Sequence, residues 1–497
     1  MHALKIIFII ISGFIIFYCT PSKDQSVDVS GKINNTEKKE FVILIRMMSL
    51  QEQWFVENIK KLENISEYNI KIVTYDTYTD IEELLTYDKL TQDTRIGLIK
   101  VPYELLYSFV EKDIIMPLNL IIDNTQLQNE LSEYTDISIE LSTFNNTAYY
   151  IPRKLETNTL LYLKSKVNDA VNNYKMFLPE INDIFKIENG YGLPSGYILE
   201  PDPNEWDWYD LTVVAFYWAK INEENGILSP KVAHRGKLYS GTVTELATKI
   251  YQSGGDSSDL LLADTTHVYN TFIWEAFWCK NNLYNPLMWK ERWSGSGIWN
   301  AMSRGEVYMA FMHQLDAFFI HGVTESGMEG YLSEPDDMGT AIMPKGVSFN
   351  IDFDSGQPLF TGEHGSNLSG WWWGIPYTGP APELSYKIAR WITNYENHKT
   401  ECNRFGILPI RQDIVDNLSE AFDKEWKKEV IETAYNQLNH KVITFPSVSN
   451  WNDVSDEWLN IWNTIVTQNY KNITINTEYI KNLIEPYVNN IKQLCNR

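Results

Sequence analysis

Cysteine is scarce in this sequence, four in 497 residues, and Cys19, Cys279, Cys402 and Cys495 lie far apart with no CxxC and no Cys/His spacing. That excludes a disulfide scaffold or a zinc module, so stability has to come from buried apolar surface. Positive charge is also in deficit: 42 Lys and Arg against 65 Asp and Glu leave a formal charge of −23. A chain of that sign is a poor partner for nucleic acid or anionic lipid. Neither GxGxxG nor GxxxxGKS/T occurs, which removes the usual support for nucleotide binding. GxSxG, HExxH and the papain-type cysteine signature are missing too, so no catalytic residue, metal or cofactor is expected. The acidic stretch from Glu200 to Asp210 lacks the Gly and Glu that an EF-hand needs at loop positions six and twelve. It reads as a solvated loop before a helix capped by Asp207.

A long apolar run opens the chain, from Ile6 to Tyr18, broken only by Ser12 and Gly13 and preceded by Lys5. It falls short of the about 20 residues of a spanning helix and matches a signal-peptide core, giving a signal over residues 1–18. Cys19 follows where a lipoprotein signal places its acylated cysteine, so a lipid tether to the membrane is expected there. An uncleaved anchor or a simple signal are the alternatives, and either exports the chain. Residues 19–40, polar with almost nothing to bury, read as a flexible tether.

What remains is rich in apolar residues, 44% of the chain, and in aromatic ones, 13% with 17 Trp. That suffices for two or more lobes with proper cores. Several Trp lie in polar or turn-like contexts, which suits stacking on a ligand, although core packing is the commoner use of any single Trp. Phe41 to Arg46 reads as a strand, Glu52 to Leu62 as a helix, Ile70 to Tyr75 as a strand and Ile81 to Leu85 as a helical turn. Arg95 to Val101 then reads as a strand and Tyr103 to Lys112 as a helix. This alternation predicts an α/β fold with a parallel, doubly wound sheet, whose ligands bind at the carboxyl ends of the strands.

Six segments in order then resemble the family 1 extracellular solute-binding proteins of ABC importers, which include maltose-binding proteins. They are Val101 to Asn119, "VPYELLYSFVEKDIIMPLN"; Asn146 to Lys166, "NTAYYIPRKLETNTLLYLKSK"; and Ile298 to Ala310, "IWNAMSRGEVYMA". The others are Gly339 to Pro344 followed by "SGWWWGIP" at Ser369 to Pro376; "FGILPIRQDI" at Phe405 to Ile414; and Phe445 to Trp462. The resemblance implies a two-lobed periplasmic-binding-protein fold of type II, each lobe a mostly parallel sheet flanked by helices. The lobes would be assembled from residues 41–154 and 365–445 for the first and 155–364 with most of 446–497 for the second. It implies a monomeric binding protein, not an enzyme, which captures a sugar or oligosaccharide between its lobes and hands it to ABC transporter permease subunits. A surface lipoprotein that processes glycans in an aromatic-rich cleft is the alternative.

The resemblance also nominates residues. On the first lobe these are Gln51, Gln53 and Trp54 after the first strand, with Arg153 and Glu156 at the crossing, which could equally pair with each other. His313, Gln314 and Asp316 follow a strand in the second lobe, and His313 could be a structural histidine instead. Trp371, Trp372 and Trp373 alternate in direction if they form a strand. One of them, with Trp371 and Trp372 the candidates, is expected to touch ligand or else to be core. Trp451, after Pro446, is expected to present an aromatic ring to the cleft.

Overall fold

The computed structural model describes residues 27–28 and 39–495, apart from 63–64, 66, 76–80, 87–94 and 447. The export signal over 1–18 and Cys19 lie outside the described residues. Ten strands form one continuous sheet: β1 (Val27–Asp28), β2 (Lys39–Ile45), β3 (Tyr68–Thr74), β4 (Ile96–Pro102), β5 (Tyr150–Leu163), β6 (Val232–Ala233), β7 (Met309–His313), β8 (Met338–Ala341), β9 (Ser366–Gly374) and β10 (Val442–Ile443). Their order is β1-β3-β2-β4-β9-β5-β7-β6, with β8 on β5 and β10 on β9.

The strands expected at the start of the chain are present, each within three residues of its expected ends, and β2 runs parallel to both β3 and β4. Every residue of β4 is buried, as a strand covered on both faces must be. One expectation is corrected here. Val27–Asp28 pair antiparallel with Ile72 and Lys71, and Lys39 and Glu40 belong to β2, so parts of the expected tether are sheet.

β5 joins the two halves of the molecule. Its first half pairs antiparallel with β9 up to Leu368↔Thr157, and from Asn158↔His313 onward it pairs with β7. The change of partner leaves backbone groups to satisfy, and polar side chains do so. Gln314 Oε1 accepts from Thr157 N at 3.2 Å, and Ser366 Oγ both accepts from Asn158 N and lies within hydrogen-bond distance of Asn158 O, each at 3.2 Å; the Asn158 side chain is held in turn by Glu245 Oε2 at 3.1 Å. Buried polar groups held this way define a crossing with fixed geometry.

The helices that bear on the site are α1 (Ser49–Ile59), α2 (Trp208–Ile221), α3 (Ser240–Gln252), α4 (Gln314–His321), α5 (Tyr395–Phe405) and α6 (Trp451–Thr467). α2 starts as expected. Asp207 accepts from Tyr209 N at 2.7 Å and Asp210 N at 3.1 Å, while Asp210 Oδ2 accepts from Asp207 N at 3.1 Å. This capping box satisfies donors that a helix start otherwise leaves open. Asp207→Ala is therefore expected to lower the unfolding free energy by about 1 kcal/mol, measured by urea denaturation, with Asp207→Asn recovering most of it.

Most of the tryptophan is structural. Trp206, Trp218, Trp372, Trp373, Trp458 and Trp462 are among the largest fully buried side chains. In the second half of the molecule Phe185 packs within 4.6–5.9 Å of Tyr209, Trp274, Phe277 and Phe349.

Candidate functional site

A cavity of about 310 Å³ opens where β5 and β9 pass from one half of the molecule to the other. From the first half it is lined by Arg46 to Met48 at the end of β2, Gln51 on α1, Lys100 on β4 and Glu104. Lys154 and Glu156 on β5 and Ser369 to Trp371 on β9 form its floor. From the second half come Arg235, Tyr239, Ser240, Gly241 and Thr244 around the start of α3, and His313 and Leu315 around the start of α4. The carboxyl ends of parallel strands thus converge with helix N-termini, the usual place for a ligand in a sheet of this kind.

Among the described residues Trp371 is the one Trp that lines the cavity. It is half-buried; its Nε1 donates to Glu156 Oε2 at 3.3 Å, and Lys100 Nζ lies 4.3 Å from its ring centroid. From the second half the half-buried Tyr239 also lines the cavity. A Cβ at position 241 would fall 2.6 Å from its ring, so Gly241 makes the room it occupies.

The ionisable groups are strongly perturbed. Burial pushes the Lys100 ammonium well below its usual range, and the neighbouring Lys154 and Arg153 push the same way. Burial works to raise the Glu156 carboxyl, but Lys154, which is ion-paired with it, His313 and Lys100 outweigh that and hold it at about 2. His313 is lowered to about 3, first by burial and then by Arg235. Behind the lining, burial raises Glu245 to about 7 and Asp316 to about 6 despite the Arg235 guanidinium beside both.

No family model matches the chain, and no curated protein matches it in sequence. Solved structures do match in shape. The maltose-bound MalE3 protein of T. maritima superposes with a TM-score of 0.65 at 15% identity, over 92% of this chain and 99% of that one. The Thermus thermophilus maltotriose-binding protein gives 0.62 at 13% identity, over 92% and 100%. The GacH receptor of Streptomyces glaucescens, solved unliganded and with acarbose, gives 0.62 at 13%, over 92% and 99%. This is the two-lobed periplasmic-binding fold.

Within that fold the expected site residues divide sharply. Gln51, Glu156, His313 and Trp371 line the cavity. The others do not, and each has a physical reason. Gln53 faces away from the sheet and is exposed. Trp54 is buried edge-on against Phe405 at 6.3 Å. Arg153 is wholly buried and ion-paired with Glu401 of α5, not with Glu156. Gln314 is consumed by the crossing, accepting from Thr157 N and donating to Gly406 O at 3.3 Å. Asp316 stands behind the lining, accepting from Trp299 Nε1 at 3.0 Å, His313 N at 3.1 Å and Arg235 at 3.3 Å.

Trp372 and Trp451, both expected at the ligand, are instead the ends of one buried aromatic row. Trp372 lies 6.0 Å from Tyr103, Tyr103 6.4 Å from Phe445, and Phe445 5.0 Å from Trp451. The alternation along β9 that turns Trp371 to the cavity sends Trp372 the other way, and α6 buries its apolar face from its first residue. Lys100 lies at the strand end that a parallel-sheet reading of the sequence brings to the mouth, whereas Lys154, Arg235 and Tyr239 were not singled out. Lys100 sits in an otherwise apolar strand, a polarity break that marks it; Tyr239 and Arg235 carry no comparable local signal.

Proposed function

We propose that this protein is an extracytoplasmic solute-binding protein that captures a short saccharide in the cavity between its lobes and delivers it to an ABC transporter. The carrying observation is the cavity at the strand crossing, lined by Trp371 from one half and Tyr239 from the other amid side chains that hydrogen-bond. Aromatic rings cover the apolar C–H faces of a sugar, and polar groups between them take its hydroxyls. The volume falls at the low end of the roughly 300–1,000 Å³ of small-molecule sites, which favours a short saccharide. Structural neighbours that bind maltose and maltotriose support the same class.

In this reading the lobes divide near residues 154/155, 364/365 and 445/446 and close about β5 and β9 as rigid bodies. The protein acts as a monomer, tethered through an acylated Cys19, and its closed form is what the permease recognises. A thermal-shift screen of saccharides tests the binding, since ligand at 100 times its Kd adds about 2.7 kcal/mol of stability. With the best ligand, small-angle scattering should show a smaller radius of gyration, and Trp371→Ala should weaken binding by about 1–3 kcal/mol by calorimetry without changing the far-ultraviolet circular dichroism. Turnover of the sugar, or tight binding with no compaction, would overturn the transport reading in favour of a preformed enzymatic pocket.

A further inference from the structure

The cavity differs in charge from the chain that surrounds it. The protein carries −23, yet four cations, Arg46, Lys100, Lys154 and Arg235, line the cavity against two carboxylates, Glu104 and Glu156. Lys154 is held by Glu156. Among the described residues Lys100 has no carboxylate in ion-pair contact: its ammonium, 1% exposed as a residue, donates to Arg46 O at 2.7 Å and lies over Trp371. Arg235 is likewise underused. Of the five donors of a guanidinium, one hydrogen-bonds, to Asp316. Its Nη1 lies 3.4 Å from Glu245 Oε1, which among the described residues accepts no hydrogen bond, and its buried Nε has no hydrogen-bond partner there either. Glu245 and Asp316 do not line the cavity.

Backbone adds to this. α1 and α3, of 11 and 13 residues, both begin at the cavity, and neither has a side chain capping its first turn. Uncapped helix N-termini direct N–H groups and a partial positive charge at whatever lies before them. Met48 and Tyr239 stand at the two cap positions, and neither side chain accepts from a first-turn N–H.

We propose that the solute is an acidic saccharide, whose carboxylate or phosphate group is bound by Lys100, Arg235 and the first turns of α1 and α3 while Trp371 covers the sugar face. This rests on the solute-binding reading above and narrows its ligand class. An anion would give Lys100 a counter-ion and would supply acceptors for the Arg235 donors that Asp316 and Glu245 leave unused. Burial and the neighbouring cations lower the Lys100 ammonium below its usual range, and an anion bound beside it acts in the opposite direction.

The test is a binding screen of the full chain against matched sets: neutral mono- and disaccharides, the corresponding uronic acids, and the corresponding sugar phosphates, with inorganic phosphate alone as a control. The expected result is that an acidic member binds at least tenfold tighter than its neutral counterpart, and that its affinity falls between 20 and 200 mM salt by about twofold or more. The uronic acid and phosphate arms separate the two sources of charge. Lys100→Met and, independently of its folding, Arg235→Gln should each reduce the acidic-to-neutral affinity ratio about tenfold. A neutral sugar that binds as tightly as its acidic counterpart overturns the inference and leaves the solute-binding reading standing. Inorganic phosphate that binds as tightly as the sugar phosphate also overturns it, because the sugar is then not recognised. No binding by any saccharide overturns both.

Discussion

Glu401→Ala is expected to destabilise the protein by about 3–5 kcal/mol, the cost of leaving one partner of a buried ion pair alone. Arg153 and Glu401 are both 0% exposed, and Gln51 Nε2 also donates to Glu401 Oε1, at 2.7 Å. Removing the carboxylate leaves the Arg153 guanidinium charged, dry and unpaired, and deprives Gln51 of its acceptor. The pair is already imperfectly satisfied, since Arg153 Nε and Nη1 and Glu401 Oε2 have no hydrogen-bond partner among the described residues. A double replacement, Arg153→Met with Glu401→Leu, should therefore recover most of the loss, because it removes both desolvated charges. Urea denaturation checks both; a single-mutant loss below 1 kcal/mol would mean that the charge finds water. Because Gln51 reaches the cavity and Arg153 does not, any effect on affinity comes from the position of Gln51.

Trp372→Ala is expected to cost about 3–5 kcal/mol of stability, as large-to-small changes in a packed core do. Its side chain has no exposed surface, its Nε1 is 3.5 Å from Ser138 O, and its ring opens the row that runs through Tyr103 and Phe445 to Trp451. Loss of the ring leaves a cavity between the sheet and the segment leading to α6. The contrast with the adjacent residue is the informative part. Trp371→Ala should change affinity and little else, whereas Trp372→Ala should change the denaturation midpoint and leave ligand affinity within about twofold. Calorimetry and denaturation on the same two variants separate these outcomes, and reversed results would place the wrong tryptophan at the ligand.

How far the sequence foretold the site can be followed residue by residue. Gln51 was legible because it follows a continuous apolar strand, and the loop after such a strand lies at the mouth of a parallel sheet. Trp371 was legible only as one of three, because period-two alternation divides neighbours between faces without saying which face is open. Arg153 and Glu156 lie three apart on one strand and invited a mutual pair. The bulge between Trp371 and Trp372 sets the register there, and Arg153 finds Glu401, 248 residues away, while Glu156 takes Lys154. No local pattern encodes a partner at that separation.

The sequence by itself determined the alternation of strand and helix at the start of the chain and the Asp207 cap. These follow from periodicity and from contacts within a few residues, which the order of amino acids states directly. Only the tertiary structure decided which aromatic rings are core and which meet the cavity, and that a strongly acidic chain lines its cavity with more cations than carboxylates. Burial and charge pairing depend on which distant segments meet, and the crossing of β5 and β9 brings Lys100, Arg235 and Tyr239 to one place.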